Sequence, residues 1–337
     1  MDASEAIETQ ARSLGFGHFR VAPVQVPAPH AQAFVDWLEA GHHAGMDYLS
    51  RGAPERIDPT LRLATARTAL VLAAEHGHDR PPDPGGLTGK VARYAWGRDY
   101  HNVLGKRLKK FTKWLRAEGI AAWGGIDTAP ILERAWANAA GLGYSGKNGL
   151  QILPAKGSYL LLAVVFVDLE LPPTSALNRD HCGSCTRCLV ACPTQAFVRP
   201  HTLDARRCLS FHNIESRNSI PPQLRNAMGR WVFGCDVCQE VCPHNVQPTD
   251  PLHQAFAPKN AWLDLEWVLS ASPEQINTDL AGTPLRRPGP IGLKRNAAVV
   301  LGNLNDPAAI PVLRPLASHC DAMLAEHARW ALAQLGG

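Results

Sequence analysis

The sequence predicts an α/β half, a cysteine-rich middle and a helical end. Three observations carry that prediction: helical and strand patterns alternate over residues 1 to about 170, eight of the nine cysteines fall between Cys182 and Cys242, and a short motif recurs near the C-terminus. At 337 residues the chain suits about two domains and can bury a full core without help from metal. Apolar residues at 45% and charged residues at 19% exclude a disordered tail or a fibre. A formal charge of +4 permits an anionic partner without demanding one.

The first part is placed over residues 1–175. Its acidic start lacks a basic n-region and an apolar h-region, so a cytosolic protein without a signal peptide is expected. Ala6, Ile7, Ala11 and Leu14 share one helix face, and Ala69 to Ala74 reads as a buried strand. The apolar run from Tyr159 to Val167 is about half the roughly 18 residues that span a bilayer, which predicts a second buried strand and no membrane partner. From Val103 to Glu118, Leu104, Leu108, Phe111 and Leu115 fall at helical spacing. Lys106, Arg107, Lys109, Lys110, Lys113 and Arg116 occupy the other faces, as a solvated surface or an anion-binding one.

Pro172 and Pro173 open the second part, 176–250. Cys182, Cys185, Cys188 and Cys192, followed by Pro193, form C-x2-C-x2-C-x3-C-P, the ferredoxin run whose fourth cysteine serves the other cluster. Cys192 is expected to start a helix and point away from the first three. Cys208 stands alone, and Cys235, Cys238 and Cys242 precede Pro243. Ligand exchange of the ferredoxin kind gives one 4Fe-4S cluster Cys182, Cys185, Cys188 and Cys242, and the other Cys192, Cys208, Cys235 and Cys238. Structural zinc uses separated C-x2-C knuckles instead. Cys320 is expected as a small buried hydrophobe. Two thiolate-saturated clusters conduct electrons from an external donor, so the chemistry occurs elsewhere and something is reduced by this chain.

The third part, 251–337, follows Pro251. Arg295 to Leu304 (RNAAVVLGNL) is similar to Glu326 to Leu335 (EHARWALAQL), 31 residues later, which suits a short HEAT-like stack of helices.

Arg56 in PERIDPT, YAWGRDYH (94–101), IDTAPILERAWANAAGLGYSGKN (126–148), GSYLLLA and the two cysteine runs together resemble the epoxyqueuosine reductase family, in order and spacing, over nearly the whole chain. The resemblance implies a nitroreductase-like cobalamin-binding α/β domain, a ferredoxin-like domain with two 4Fe-4S clusters, and a HEAT-like tRNA-binding module. It implies a monomeric cytoplasmic enzyme that reduces epoxyqueuosine to queuosine in a tRNA with a GUN anticodon. Asp127 matches the family's proton donor, and opening an epoxide needs such an acid; its carboxyl is expected to be raised by burial or by the corrin surface. An aspartate before a helix also reads as an N-cap. The implied cobalamin contacts are Arg56, Ala92, Tyr94, Asp127, Gln151 and Leu162, with Ser210 beside a cluster. Arg56 reads equally as an exposed salt bridge, and Gly146-Lys147-Asn148 as ordinary turn chemistry. Arg286, Arg287, Lys294 and Arg295 are the implied tRNA-binding cations, or else a solvated loop. Asp99-Tyr100-His101 with Gly105 misses the D-x-H-x-x-G spacing of base-off corrinoid proteins by one residue, so His101 lines the pocket or packs rather than binding cobalt. The alternatives are another corrinoid iron-sulfur reductase of the reductive dehalogenase type, whose export signal is missing here, and a non-catalytic electron carrier, which would bind no corrin.

Overall fold

A computed structural model describes every residue except 1, 26, 175–179, 246–253 and 337. The predicted boundaries near 175 and 250, with Pro251, lie outside the described residues.

The chain runs through α1 (Ala3–Ser13), β1 (His18–Pro23), α2 (Ala28–Glu39), α3 (Tyr48–Arg51), α4 (Ala53–Ile57), β2 (Thr68–Glu75), β3 (Thr88–Val91), α5 (Tyr100–Ala117), β4 (Ala122–Gly125), α6 (Glu133–Ala139), β5 (Tyr144–Ser145), β6 (Gln151–Ile152) and β7 (Leu160–Val167). Strands β1-β2-β7-β4 form an antiparallel sheet in that order. Alternate residues of a strand face opposite ways. Leu70 and Leu72 of β2, with Leu161, Ala163 and Val165 of β7, therefore pack with Ile7 of α1 and Leu104, Leu108 and Phe111 of α5. Ala69, Val71 and Ala73, with Val164 and Phe166, meet Trp136 and Ala137 of α6 on the other face. A strand covered on both faces must be apolar throughout, which is why β2 and β7 read as continuous hydrophobic runs.

Next come α7 (Arg187–Ala191), β8 (Phe197–Arg199), β9 (Thr202–Leu203), α8 (Pro222–Arg225), β10 (Trp231–Phe233), α9 (Val237–Glu240), β11 (Trp262–Asp264), α10 (Leu265–Ser270), α11 (Pro273–Asp279), α12 (Gly289–Leu304), α13 (Ile310–Leu313) and α14 (Ala322–Gln334). A second sheet, β10-β3-β11, takes one strand from each predicted part, with β10 parallel and β11 antiparallel to β3. Its core is shared: Val91, Ala95 and Trp96 pack with Val232 and Phe233 and with Val299, Val300 and Ala331. The recurring motifs of the third part lie on α12 and α14, whose Val299 and Leu301, Ala328 and Ala331 belong to this same core.

Three expectations are corrected. Cys192 ends α7 rather than starting a helix. Cys320 is exposed, because it sits in the turn before α14, outside the packed faces. Lys294 and Arg295 are buried, because α12 is enclosed on every side from Gly292 to Gly302.

Candidate active site

Strand β4 ends in Gly124-Gly125, and the loop to α6 carries Asp127. A Cβ on Gly125 would overlap the side chain of Ala129, so only glycine lets this loop fold back so tightly. Asp127 itself is left-handed, at φ 52°, a conformation that costs about 1–3 kcal/mol and marks functional loops when the surroundings hold it. Asp127 is not an N-cap, since α6 begins at Glu133 with Leu132 at the cap position.

Two side chains from the start of α5 hold the carboxylate. Tyr100 Oη donates to Asp127 Oδ2 at 2.5 Å and His101 Nε2 to the same oxygen at 3.1 Å. The other ring nitrogen of His101, Nδ1, faces Asp99 Oδ1 at 2.9 Å, and Asp99 also caps the helix by accepting from the backbone N of His101 at 2.9 Å. The rings of Tyr100 and His101 stack at 4.1 Å. The Asp127 side chain is 61% exposed, yet the protein crowded around its carboxyl still pushes the group up by desolvation; the bonds from His101 and Tyr100 outweigh this and hold it below the usual carboxylate range. An upward shift from burial alone is thus reversed. Bonds to Asp127 and then Asp99 lift His101 to about 9, and burial followed by the Asp127 charge pushes the Tyr100 phenol far up.

The surroundings join this carboxylate to the cysteines. Tyr94 meets Tyr100 edge-on at 6.0 Å and tilts against Phe233 at 6.0 Å, two residues before Cys235. Ala92 is buried and donates its backbone N–H to Phe233 O at 2.9 Å. Arg56 is buried, not an exposed salt bridge, and donates to Gly52 O at 3.1 Å. Gln151 is buried and donates to Leu142 O and Asn138 Oδ1, while its Oε1 lacks a partner. Leu162 lies half-buried on β7 in the α6 face of the sheet. Ser210 stands beside Cys208, and its backbone hydrogen-bonds the Cys208 sulfur. Glu133 escaped the sequence reading. Desolvation, backed by the charge of Asp127, lifts its carboxyl to about 8, and its buried Oε1 has no partner.

Cys182, Cys185, Cys188 and Cys242 line one cavity with Lys147, Asn148, His181 and His244. Cys192, Cys208, Cys235 and Cys238 form the second neighbourhood: after burial, the charges of Cys208 and Cys192 raise Cys235, and those of Cys235 and Cys208 raise Cys238. Buried thiols of this kind keep their protons until a cation replaces them. Among the described residues, no three His, Cys, Asp or Glu side chains converge closely enough for a single metal ion. Sulfurs spread around a cavity suit the corners of a cubane instead. The Gly146-Lys147-Asn148 turn does more than its composition promised. Lys147 Nζ donates to Gly183 O at 2.6 Å and Cys185 O at 2.9 Å, and Asn148 Nδ2 to Cys238 O at 3.3 Å, so one turn ties both cysteine loops.

The four cations of the third part separate. Arg286 is exposed, and Arg287 is exposed and paired with Glu215 through two bonds of 3.2 and 2.9 Å, close enough for its charge to lower Asp127. Lys294 donates to Leu269 O at 2.9 Å, and Arg295 donates to His212 O, Ser216 O and Asn218 O. Both inner groups are spent on backbone carbonyls.

Two family models match the chain: a 4Fe-4S double cluster binding domain over residues 181–245, and epoxyqueuosine reductase QueG, DUF1730, over residues 56–128. A Pseudomonas aeruginosa epoxyqueuosine reductase is 38% identical, with 99% of this chain and 94% of that protein covered. A Xanthomonas campestris epoxyqueuosine reductase is 37% identical, with 99% and 97% covered. Among solved structures, an epoxyqueuosine reductase with an epoxyqueuosine-modified tRNA-Tyr stem loop superposes with a TM-score of 0.91 at 28% identity, covering 99% of this chain and 90% of that one. A Bacillus subtilis epoxyqueuosine reductase whose catalytic aspartate loop is swung out of the active site gives 0.90 at 28% identity, with the same coverage.

Proposed function

The chain belongs to the epoxyqueuosine reductase family, and from that premise we propose how its own residues carry out the reduction of epoxyqueuosine to queuosine in the anticodon loop of a GUN tRNA. Two 4Fe-4S clusters and cobalamin are its cofactors, the clusters passing single electrons from an external donor and the corrin supplying the reducing centre when bound. Cys182, Cys185, Cys188 and Cys242 hold one cluster, and Cys192, Cys208, Cys235 and Cys238 the other. Arg56, Ala92, Tyr94, Asp127, Gln151 and Leu162 would hold the corrin, with Ser210 as a further contact. The unpartnered acceptors Gln151 Oε1 and Glu133 Oε1 support this reading, because a corrin is rimmed by amide N–H donors that such buried oxygens need.

Residues 1–175 act as the nitroreductase-like catalytic domain, 176–250 as the ferredoxin-like domain and 251–337 as the HEAT-like module that meets tRNA. No described helix is long and apolar enough to cross a membrane. The enzyme works as a cytoplasmic monomer. Arg286 and Arg287 remain as its cations for tRNA phosphate.

Asp127 delivers a proton to the oxygen that leaves the epoxide-bearing ring. The observation that carries this is its placement: a strained loop residue with an accessible carboxyl, held by Tyr100 and His101 and linked to the Cys235 loop through Tyr100, Tyr94 and Phe233. The test is Asp127→Asn in holoenzyme, assayed on epoxyqueuosine-containing tRNA with a chemical reductant and nucleoside mass spectrometry. Iron, sulfide and the cob(II)alamin spectrum stay unchanged while turnover falls by about 10²–10⁴-fold. Undiminished turnover rejects the assignment.

A further inference from the structure

We infer that His101 is the proton reservoir behind Asp127: clamped between two carboxylates, it stores as an imidazolium the proton that Asp127 hands to the departing oxygen, and it refills that carboxylate from solvent. The inference rests on the reading of Asp127 as the group beside the reacting oxygen and assigns the step before it.

The geometry comes first. Both ring nitrogens of His101 face carboxylate oxygens, Asp99 Oδ1 at 2.9 Å and Asp127 Oδ2 at 3.1 Å. A neutral imidazole has one N–H and could serve only one of them, whereas an imidazolium donates to both. Tyr100 donates to the same Asp127 oxygen at 2.5 Å, so in the resting arrangement that carboxyl accepts two hydrogen bonds and has no reason to carry a proton. A proton donor that rests ionised needs a supply within hydrogen-bond reach. His101 is that supply, and its side chain, 34% exposed, also meets the solvent that must recharge it. Asp99 holds the ring in place through the helix cap and sets which nitrogen points at Asp127.

The groups facing the pair from other elements fit this role. Arg287 lowers Asp127 from the loop before α12; burial first and the Asp127 charge after it keep Tyr94 and Tyr100 from ionising and leave Glu133 largely uncharged. The excess proton of the cluster therefore settles on His101, which stays charged to about pH 9. The balance of the reaction is kept. Both C–O bonds of the epoxide break and a C=C bond forms between its two carbons, two electrons enter from the donor, two protons are taken up and the oxygen leaves as water. His101 Nε2–H supplies one of these protons through Asp127.

The test compares wild type with His101→Gln as holoenzyme, in single turnovers on modified tRNA from pH 5.5 to 9.5. Wild-type rates hold until the pH passes about 9, where the reservoir empties. In the variant the carboxyl must take its proton directly from water, so the rate falls by about tenfold for each pH unit above the carboxyl's own range. The ratio of the two rates thus grows steeply with pH, and acid restores the variant. A loss that is the same at every pH would mean that His101 only positions the loop, and unchanged rates would mean no role; either overturns the inference. A second readout is independent of turnover. In oxidised holoenzyme with ¹³C-labelled histidine, the resonance that disappears in His101→Gln should titrate near pH 9 and move down in Asp99→Asn. Titration near 6.5 overturns the inference too. Failure of Asp127→Asn to lose activity would instead strike the earlier reading, and the two results are read separately.

Discussion

The guanidinium of Arg295 is fully enclosed and donates to three backbone carbonyls, those of His212, Ser216 and Asn218, and to Asn296 Oδ1. The neighbouring Asn296 Nδ2 reaches Asn213 O at 2.7 Å and Val232 O at 3.0 Å, while Asn213 brackets Gly234 by accepting from its N and donating to its O. Two adjacent polar residues of α12 thereby hold the segment after Cys208 against the strand before Cys235. Removing the side chain strands the buried acceptors His212 O, Ser216 O and Asn296 Oδ1, each costing about 1–3 kcal/mol. Arg295→Ala is expected to lose about 3 kcal/mol or more in denaturant unfolding and to release iron from the second cluster more readily. Its salt dependence of tRNA binding should match wild type; a smaller slope would return Arg295 to the phosphate-binding surface.

Helix α5 links chemistry to surface. Its first turn carries Tyr100 and His101, its apolar stripe is buried, and Lys106, Lys109, Lys110 and Lys113 are exposed along the outer side. Arg107 and Arg116 are used differently, donating to Leu14 O and Ala122 O. At 1.5 Å per residue the lysine row runs from about 8 to 18 Å beyond His101 along the axis, within the reach of an RNA loop presented to Asp127. Replacing all four by Gln should weaken tRNA binding and flatten its salt dependence by about 0.7 for each lysine that meets a single-strand phosphate. An unchanged slope leaves them a solvated face.

The stripe, the strands β2 and β7 and the cysteine spacing were legible because each is a local pattern in a known period. The pairing of Asp127 with His101 was not, since 26 residues separate them and only the sheet brings β4 beside α5. Lys294 and Arg295 misled for a physical reason: charge suggests a surface, but the stretch from Asn296 to Leu301 is apolar on nearly every helical face, which is the mark of an enclosed helix.

At the scale of the molecule, the third part is tied to the cysteine-bearing middle through His327 of α14. This imidazole is fully enclosed, accepts the backbone N–H of Ile220 at Nε2 (3.1 Å) and donates from Nδ1 to Met323 O (2.7 Å), so it fits only as the neutral form. Burial lowers it to about 4, helped by the nearby Arg225 charge and partly offset by its bond to Met323 O and by the Glu326 charge. The unfolded chain binds a proton at this position near 6.5, well above the folded chain, so the stabilising contribution is complete above about pH 6.5 and is lost as pH falls toward 4. The loss is on the order of 3 kcal/mol at most, from a separation of about 2.5 units. His76, also buried and lowered to about 3, acts in the same direction, so wild type alone does not isolate the effect. His327→Gln does. Its unfolding free energy, measured in denaturant between pH 4.5 and 8, should fall less steeply with acid than that of wild type, the two curves converging toward low pH. Parallel curves would mean that His327 binds its proton equally well in the folded and unfolded chain, so that its contact with Ile220 contributes nothing to the pH dependence and α14 is held to the middle of the chain by Arg225 and its core residues alone.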